Sequence, residues 1–442
     1  MSEGLVFRAP PGLLQIAERL EGAGFEAWAV GGAIRDAIRG RPRADWDLAT
    51  DARPEAVRRA FPRTVPLGVE HGTVGVLAED EAMYEVTTFR LDVETDGRHA
   101  VVEFATDIDD DLARRDFTIN AIAWRPATDE LRDPHGGIDD LRDGILRAVG
   151  EPALRFAEDY LRVLRGFRFA GTYGLSVEPD TRSALQQATG HLARLSAERV
   201  REELLKVLSS DVASGSLRMY AEYGALDHWY REIAPAAHGE PWNQTLVATD
   251  ALQPDRPLLR VVRLLLLSLP GDDTSDTPAA GAEDLLRRLK FSNADIRRAA
   301  HLVAHYLPLV GPADGSATIR EWLHTVGAEH ARDHFRLHFA AARASGSEDN
   351  QRALVYTWRR VHDELVEEVP ISVAQLAVDG TDLMELGLPR GPLVGLMLEE
   401  LLAQVIESPA RNEREVLLET ARELIELGGL ANLGGLDGGS AE

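Results

Sequence analysis

Segments that favour β-strands are confined to roughly the first 150 residues of this chain. Residues 26–30, 46–48, 72–77, 84–89 and 101–104 are short runs rich in β-branched and aromatic side chains, which indicates a small sheet. Farther along, apolar residues recur at spacings of three and four with Arg and Glu between them, as in helices. The sequence therefore predicts an α/β head with a small mixed or antiparallel sheet, followed by a long all-α remainder.

Helices and loops of the head can be placed more closely. Residues 12–22 and 33–39 have helical patterns, and the polar stretch 90–100 predicts a mobile loop. The glycine-rich last ten residues are expected to be frayed. The chain is thus expected to be multidomain.

The chain contains no cysteine, which excludes disulfides, thiolate metal sites and cysteine nucleophiles. Its beginning has no pattern of a signal peptide, and no apolar run is long enough to span a bilayer. We therefore expect a cytoplasmic protein without a membrane partner.

The net charge of −25 at first argues against nucleic acid as a partner, because phosphates require a basic surface. The charge is unevenly distributed, however. Residues 361–442 contain 17 Asp and Glu against 4 Arg, whereas residues 147–206 contain 10 Arg and Lys against 8 Asp and Glu. Any RNA contact is expected to avoid the acidic end and to use a local arginine cluster.

The first candidate cluster combines Gly31, Gly32 and Arg35 with Asp45 and Asp47. Two glycines between a strand and a helix let backbone amides approach a phosphate, and Arg35 adds a guanidinium. Residues i and i+2 of a strand face the same side, so the two aspartates point together. Paired carboxylates favour Mg²⁺ and suit two-metal phosphoryl transfer. Each piece alone is more simply a turn or a polar strand edge, but their order and spacing favour the functional interpretation.

Glu85 stands in an otherwise apolar strand segment. A carboxylate there is costly unless it is paired or binds a metal. It is either a third acidic member of the metal site or a solvent-facing residue of an edge strand, and the sequence favours neither.

The second cluster, RRDFTINA, contains Arg115, Asp116 and Asn120. Arginine can hold a triphosphate, while Asp and Asn can bind ribose hydroxyls. Asp116 and Asn120 are four residues apart, so they would share a face of a helix. A capped helix start with solvated arginines is the plainer interpretation.

The third cluster, EDYLRVLRGFRF, places Asp159, Arg162 and Arg165 three residues apart on one predicted helical face, with Arg168 one step farther. A carboxylate and a guanidinium fixed on a rigid helix could read the edge of a base. An ordinary salt-bridged helix has the same spacing.

In this order, GGAIRD with DWD, RRDFTINA and EDYLRVLRGFRF resemble motifs of the class II tRNA nucleotidyltransferase and bacterial poly(A) polymerase family. The later segments SAERVREELLKVL and GTDLMELGLPRGPLVGLMLEELL resemble its neck and tail, so the resemblance spans nearly the whole chain. It implies a nucleotidyltransferase head at 1–145, a helical neck at 146–215, a body at 216–350 and an acidic tail at 351–442. The implied activity is addition of CCA to tRNA from CTP and ATP, with no role for DNA.

The resemblance also implies roles for residues. Asp45 and Asp47 would bind Mg²⁺, while Gly32 and Arg35 would contact the triphosphate. Phosphate and ribose would be held by Arg115, Asp116 and Asn120. Asp159 and Arg162 would pair with cytosine or adenine. Arg165 and Arg168 would support that pair.

The family branch depends on two segments. Residues 68–74 lack the basic stretch typical of poly(A) polymerases, which favours CCA addition. Asp96 and Arg98 resemble the flexible-loop element of full CCA-adding members, but Ala100 stands where proline is frequent. Addition of CC alone therefore stays open.

The body resembles a degenerate histidine–aspartate phosphohydrolase domain. Gln244 stands where a histidine ligand is expected, and Leu267 with Ser268 replaces the His-Asp pair. We therefore expect no hydrolytic metal site, and we interpret the lone pair His301 and His305, like the dipeptide 362–363, as surface or packing residues. A catalytically silent RNA-binding protein is the rival from another class, and the intact pair of aspartates argues against it.

Overall fold

The computed structural model describes residues 7–40, 46–68, 72–95, 100–268, 278–306 and 308–426. The chain forms two compact units. The first comprises residues 1–237 with 288–290, and the second comprises 238–287 with 291–442. The predicted division into head, neck, body and tail is finer than these two units and stays a prediction.

The first unit contains the strands of the described chain, as the sequence predicts. They are β1 Ala27–Val30, β2 Asp47–Thr50, β3 Thr64–Pro66, β4 Thr73–Leu77, β5 Met83–Thr88, β6 Arg90–Thr95, β7 Ala100–Phe104, β8 Ala123–Arg125, β9 Glu130–Arg132, β10 Ile145–Leu146 and β11 Ser176–Val177.

Seven strands form one sheet in the order β3-β4-β5-β2-β1-β8-β9. β2 and β5 are parallel, and the other neighbours in this sheet are antiparallel. The predicted small mixed sheet is therefore confirmed. Every residue of β1 is buried, and Trp28, Val30 and Ala49 belong to a core that also contains Phe89 and Leu112. This core fixes the sheet that carries the candidate site.

The helices of the first unit surround and extend this sheet. They are α1 Pro11–Gly22, α2 Gly32–Ile38, α3 Pro54–Ala60, α4 Ile108–Ala113, α5 Gly137–Asp143, α6 Pro152–Glu158, α7 Leu161–Tyr173, α8 Pro179–Thr189, α9 Ala197–Leu208, α10 Ser214–Glu222 and α11 Leu226–Trp229. The first two match the helices predicted at 12–22 and 33–39.

The second unit is helical throughout its described residues. Its helices are α12 Gly239–Ala251, α13 Pro257–Leu265, α14 Pro278–Arg288 (whose last residue belongs to the first unit), α15 Asn293–Ala304, α16 Ser316–Val326, α17 Ala328–Ala344, α18 Glu348–Val366, α19 Gly380–Glu385, α20 Pro392–Glu407 and α21 Arg414–Glu426. One core lies around Trp322 and Phe335, and another around Met397 and Leu401.

The loop predicted at 90–100 is wrong over most of its length. β6 and β7 form an antiparallel hairpin in which Arg90 pairs with Phe104 and Thr95 pairs with Ala100. The segment Arg90–Thr95 alternates polar and apolar residues, which is a strand pattern despite its overall polarity. Asp96 and Arg98 lie outside the described residues.

No helix within the described parts of the chain has the length and apolar character needed to cross a membrane.

Candidate active site

An open cleft of about 640 Å³ lies in the first unit. Its walls come from the ends of β1, β2 and β5, from the start of α2, from the 111–120 segment, and from α7 and α9. The cleft gathers the described members of all three sequence clusters, which are Gly31, Gly32, Arg35, Asp47, Glu85, Arg115, Asp116, Asn120, Asp159, Arg162, Arg165 and Arg168. Asp45 lies outside the described residues.

The glycine turn joins β1 to α2 at one side of this cleft. Gly31 has φ 77° and ψ −135°, a conformation that a residue with a Cβ rarely adopts. Gly32 begins α2, and a Cβ there would approach the Arg35 guanidinium at 3.5 Å. The turn therefore leaves backbone accessible beside cationic groups.

Asp47 and Glu85 lie side by side. β2 and β5 are parallel, and Leu48 pairs with Val86, so the preceding residue of each strand shares the same level and face. Glu85 is exposed and Asp47 is half-buried, and both line the cleft. Carboxylate oxygens are suitable ligands for a hard divalent cation, so this donor pair fits such an ion.

Arg35 is almost completely buried, with 6% of its surface exposed. Its Nη1 donates to Asn120 Oδ1 at 2.7 Å, its Nε to Asp36 Oδ1 at 2.9 Å and its Nη2 to the Tyr173 hydroxyl at 2.5 Å. The guanidinium also lies 4.6 Å from the centre of the Tyr173 ring. Arg35 thus ties α2 to the 118–120 turn and to α7, and its expected contact with the triphosphate stays a prediction.

Asp116 and Asn120 are neighbours, although not on a helix as the sequence suggested. Asp116 precedes a 3₁₀ turn at Thr118–Asn120, and Asn120 Nδ2 donates to Asp116 Oδ1 at 2.9 Å. Arg165 Nε donates to the other carboxylate oxygen at 2.7 Å. Burial alone would raise the pKa of Asp116, but Arg165 and Asn120 outweigh burial and lower that pKa to about 2. Asp116 is therefore a fixed anion at neutral pH.

Arg114 and Arg115 are both held by one buried carboxylate. Asp111 accepts from Arg114 Nη2 at 2.7 Å and from Arg115 Nη2 at 3.0 Å. Arg115 Nη1 also donates to the Asn120 carbonyl at 3.2 Å. Burial pushes the pKa of Asp111 upwards, but the two guanidinium groups outweigh it and lower that pKa. Asp111 therefore orients two cations along the cleft wall.

Asp159 does not belong to a helix, which corrects the predicted single helical face. α6 ends at Glu158, α7 begins at Leu161, and Asp159 has φ −154° and ψ 106° in the break between them. Its Oδ1 accepts from the Leu161 amide at 3.0 Å, and its Oδ2 accepts from Arg199 Nη2 at 2.6 Å. Asp159 therefore lies in the cleft wall just before α7, and amides in the first turn of that helix bond to it.

Arg162 stands in the first turn of α7. Its Nη2 donates to the Arg114 carbonyl at 3.1 Å, its Nη1 donates to the Arg155 carbonyl at 3.0 Å, and its Nη1 also bonds the Glu158 carboxylate. These contacts fix the guanidinium plane at the cleft. Farther along α7, Arg168 bonds the buried Glu203 of α9 and lies 4.2 Å from the Phe169 ring centre.

Sequence reasoning missed several lining residues, namely Thr73, Thr87, Arg90, Asp111, Arg199 and Lys206. Arg199 and Lys206 are seven residues apart on α9, so they share a helical face, and this spacing was a usable signal. The contact of Arg199 with Asp159 depends on how α9 packs, which the spacing does not reveal.

The cleft has a charge opposite to that of the whole chain. Among its described lining residues nine are Arg or Lys and five are Asp or Glu. The chain as a whole has a net charge of −25. An acidic protein can therefore hold a triphosphate, because the cations are concentrated where the anion would bind.

The second unit lacks a hydrolytic metal site among its described residues. Gln244 is exposed, and its side chain donates to Glu240 at 3.3 Å. No three His, Asp or Glu side chains in the described parts of the chain are grouped closely enough to hold a metal ion. That the body is a degenerate phosphohydrolase domain stays a prediction.

His301 and His305 are not a lone pair, however. They belong to a histidine cluster on facing parts of the second unit, which consists of His301, His305, His330, His334 and His338. The ring centres of His301 and His305 are 4.4 Å apart, and those of His301 and His330 are 4.3 Å apart. His334 is fully buried, and neither of its ring nitrogens hydrogen-bonds to a described residue. Burial lowers the pKa of His305, His330 and His334, so these three rings are predominantly uncharged at neutral pH.

Comparisons with known proteins agree with this geometry. Residues 27–147 match the poly A polymerase head domain, and residues 174–237 and 274–421 match models of an RNA-binding region of polymerase A and of domain 2 of tRNA nucleotidyltransferases. The CCA-adding enzyme of Streptococcus suis is 34% identical over 422 residues, which cover 93% of this chain and 96% of the relative. That of Lactobacillus johnsonii is 33% identical over 92% of this chain and 95% of the relative.

A solved structure is similar over the whole length. The Bacillus stearothermophilus CCA-adding enzyme in complex with CTP aligns with a TM-score of 0.77 and 31% identity, covering 96% of this chain and 99% of that one. The Thermotoga maritima CCA-adding enzyme complexed with tRNA shares the fold, with a TM-score of 0.60 and 20% identity over 95% and 97% of the two chains.

These likenesses first define a class, the nucleotidyltransferases whose catalytic head is of the poly(A) polymerase type. Within that class the chain belongs to the family of CCA-adding enzymes, because relatives more than 30% identical match it along almost its entire length. Enzymes of this family use a divalent metal ion.

Proposed function

We propose that this enzyme adds C, C and A to the 3′ end of tRNA, from CTP and ATP and without a nucleic-acid template. The observation that carries the proposal is a single cleft that holds a carboxylate pair, an arginine-rich wall and a fixed Asp159–Arg162 pair. These are the groups needed for phosphoryl transfer and for reading the edge of a base. We place the activity in the cytoplasm and expect no role for DNA.

Asp47 and Glu85, together with Asp45 from the sequence, are proposed to hold Mg²⁺. A bound divalent ion there would lower the pKa of the attacking hydroxyl and neutralise the triphosphate. The 3′-hydroxyl oxygen of the RNA forms a bond to the α-phosphorus, and the bond from that phosphorus to the β-phosphate oxygen breaks. Pyrophosphate leaves, and the hydroxyl proton passes to solvent.

The triphosphate and ribose are proposed to lie along the 111–120 segment. Arg115 supplies a guanidinium whose orientation Asp111 fixes through a 3.0 Å bond. Asp116 stays ionised because Arg165 pairs with it at 2.7 Å, and Asn120 is fixed by its bond to the same carboxylate. Gly31 and Gly32 leave space for the phosphates beside these groups.

Asp159 and Arg162 are proposed to select the base, with Arg165 and Arg168 supporting α7. Cytosine and adenine each present an amino donor next to a ring-nitrogen acceptor. Uracil and guanine present a carbonyl next to an N–H instead. A carboxylate beside a guanidinium therefore complements the first pair of bases and opposes the second. Asp159 accepts and Arg162 donates in this scheme.

Primer extension tests the proposal. A tRNA transcript without its 3′ CCA is incubated with the enzyme, Mg²⁺, and labelled CTP or ATP, separately and together. Three added nucleotides, with A only after two C, are expected. Two C without A would make this a CC-adding enzyme and direct attention to Asp96 and Arg98. Long A-tracts without C would assign it to poly(A) synthesis, and no incorporation would overturn the catalytic interpretation.

A further inference from the structure

Arg199 of α9 stands beside the base-reading pair but lies outside the three sequence clusters. We propose that Arg199 is a positioning residue that sets the selectivity for CTP and ATP over UTP and GTP. It does so by holding the Asp159 carboxylate in the orientation that accepts a hydrogen bond from a base amino group. This inference rests on the proposed function and adds a determinant of its base specificity.

The second oxygen of the Asp159 carboxylate is the part that Arg199 holds. Asp159 lies in the break between α6 and α7, and its Oδ1 and its backbone carbonyl accept from amides in the first turn of α7. Its carboxylate is fixed by two contacts on its two different oxygens. The Leu161 amide donates to Oδ1 at 3.0 Å, and Arg199 Nη2 donates to Oδ2 at 2.6 Å. With one of these contacts removed, the carboxylate can rotate about the remaining bond.

Arg199 lies on α9, a helix that is capped at its start and packed against α7. α9 begins with Ser196 accepting from the Arg199 amide, and it packs against α7. One turn after Arg199, the buried Glu203 bonds Arg168 of α7. α9 therefore contains Arg199, which bonds Asp159, and it is also bonded to α7, the helix that contains Arg162. The two halves of the base-reading pair are thus fixed relative to each other through α9.

The chemistry of the bases converts this orientation into selectivity. An ionised carboxylate accepts about four hydrogen bonds, and the two protein contacts leave capacity for one from a base amino group. The same oxygen facing the carbonyl of uracil or guanine meets another acceptor, which is repulsive. A freely rotating Asp159 loses one bond to the correct base but also removes the repulsion from the wrong one. Loss of Arg199 should therefore change the ratio of rates rather than activity alone.

Measurement of kcat/KM for CTP and UTP on tRNA lacking CCA, and for ATP and GTP on tRNA ending in CC, tests this. In Arg199→Ala both ratios, CTP to UTP and ATP to GTP, are expected to fall on the order of tenfold. Arg199→Lys keeps the charge and should recover part of each ratio. Arg201→Ala is the matched control, because Arg201 is on the same helix but bonds the Lys290 carbonyl, and it should keep the wild-type ratios.

Equal losses for all four nucleotides in Arg199→Ala, with both ratios within roughly twofold of wild type, would overturn the proposal and leave Arg199 a purely structural role. If that variant does not fold, Arg199→Gln, which keeps a polar side chain but removes the guanidinium, is measured in its place and is judged by the same two ratios. Failure of the wild-type enzyme to incorporate C or A would instead refute the proposed function, so the two failures are distinguishable.

Discussion

The cleft of the first unit and the histidine cluster of the second both bury titratable side chains. The buried carboxylate of the cleft stays charged, whereas the buried imidazole of the cluster is uncharged. In the cleft, Asp116 is paired with Arg165 and Asn120, and its pKa falls to about 2. In the cluster, burial lowers the pKa of His334 to about 4, with further lowering by neighbouring histidines. The first arrangement keeps its charge at neutral pH, and the second excludes it.

This difference follows from what each region must do. A site for a triphosphate needs cations that stay charged and stay oriented, and carboxylates such as Asp111 and Asp116 supply the orientation. The histidine cluster of the second unit is a packing contact between side chains of one unit. Its imidazoles stack on each other, and no metal-holding group occurs among its described residues. Buried polar groups are therefore evidence for function in the first unit and for packing in the second.

The largest expected effect is that of Asp47→Ala. Removing a carboxylate from the metal-binding edge should lower nucleotide incorporation by on the order of 1,000-fold, while the melting temperature stays close to that of the wild type. Asp363→Ala, which removes an exposed carboxylate from the second unit, is the control and should retain full activity. Substantial activity in Asp47→Ala would remove the contrast between the two regions.

Glu85→Gln should have a smaller effect in the same direction. The amide keeps the shape of the side chain but loses the negative charge beside Asp47, so we expect a decrease of about 10-fold to 100-fold and a higher Mg²⁺ requirement. Glu130→Gln provides a control on an exposed strand residue of the same sheet. An unchanged Mg²⁺ dependence would place Glu85 outside the metal site, as a solvent-facing residue of β5. The alternative of an edge strand is wrong in any case, because β5 lies between β4 and β2.

The site was more predictable from sequence than its local backbone. Asp116 and Asn120 were expected to be neighbours and are neighbours, but through a 3₁₀ turn rather than a helix. No proline or glycine lies beside Asp159 to indicate the break. The apolar residues on both sides have helical spacing, so the pattern predicts one continuous helix. The carboxylate is held by one local contact, with the Leu161 amide, and by one tertiary contact, with Arg199, and the sequence does not reveal the second.

The strand β6 was missed for a different reason. Its residues are polar on average, and average polarity predicts a loop, yet their alternation is that of a strand that pairs with β7. Likewise, the spacing of His301 and His305 showed a helical pair but not the third ring, because His330 comes from α17. Contacts between distant segments are what the sequence of one chain conceals.

One part of the pH dependence of stability should come from His334 in the second unit. The folded pKa of His334, about 4, lies below its ordinary value of 6.5, so the unfolded chain binds the proton first. Stability from this residue is complete above pH 6.5 and is lost as the pH falls towards 4, by about 2–3 kcal/mol.

Urea unfolding followed by circular dichroism at several pH values measures this loss. His334→Leu removes the titrating group while it keeps a buried apolar side chain, so its stability should depend less on pH than that of the wild type over the same interval. Asp116 contributes little there, because its stabilisation is present above its unfolded pKa of 3.8 and is lost as the pH falls from that value to about 2. An identical pH profile in the wild type and the variant would contradict the neutral-cluster interpretation.

The smallest effect is expected for Gln244→His, which restores the histidine that the resemblance to phosphohydrolases leads one to expect. One imidazole cannot bind a metal without partners, and Leu267 and Ser268 stand where the other ligands would be. Neither phosphatase activity nor CCA addition should change measurably, since Gln244 is exposed and its side chain donates to Glu240 of the same helix. A metal-dependent phosphatase activity in this variant would show that the second unit retains a latent metal site. The cleft would then not be the one region of the two in which polar side chains serve a reaction.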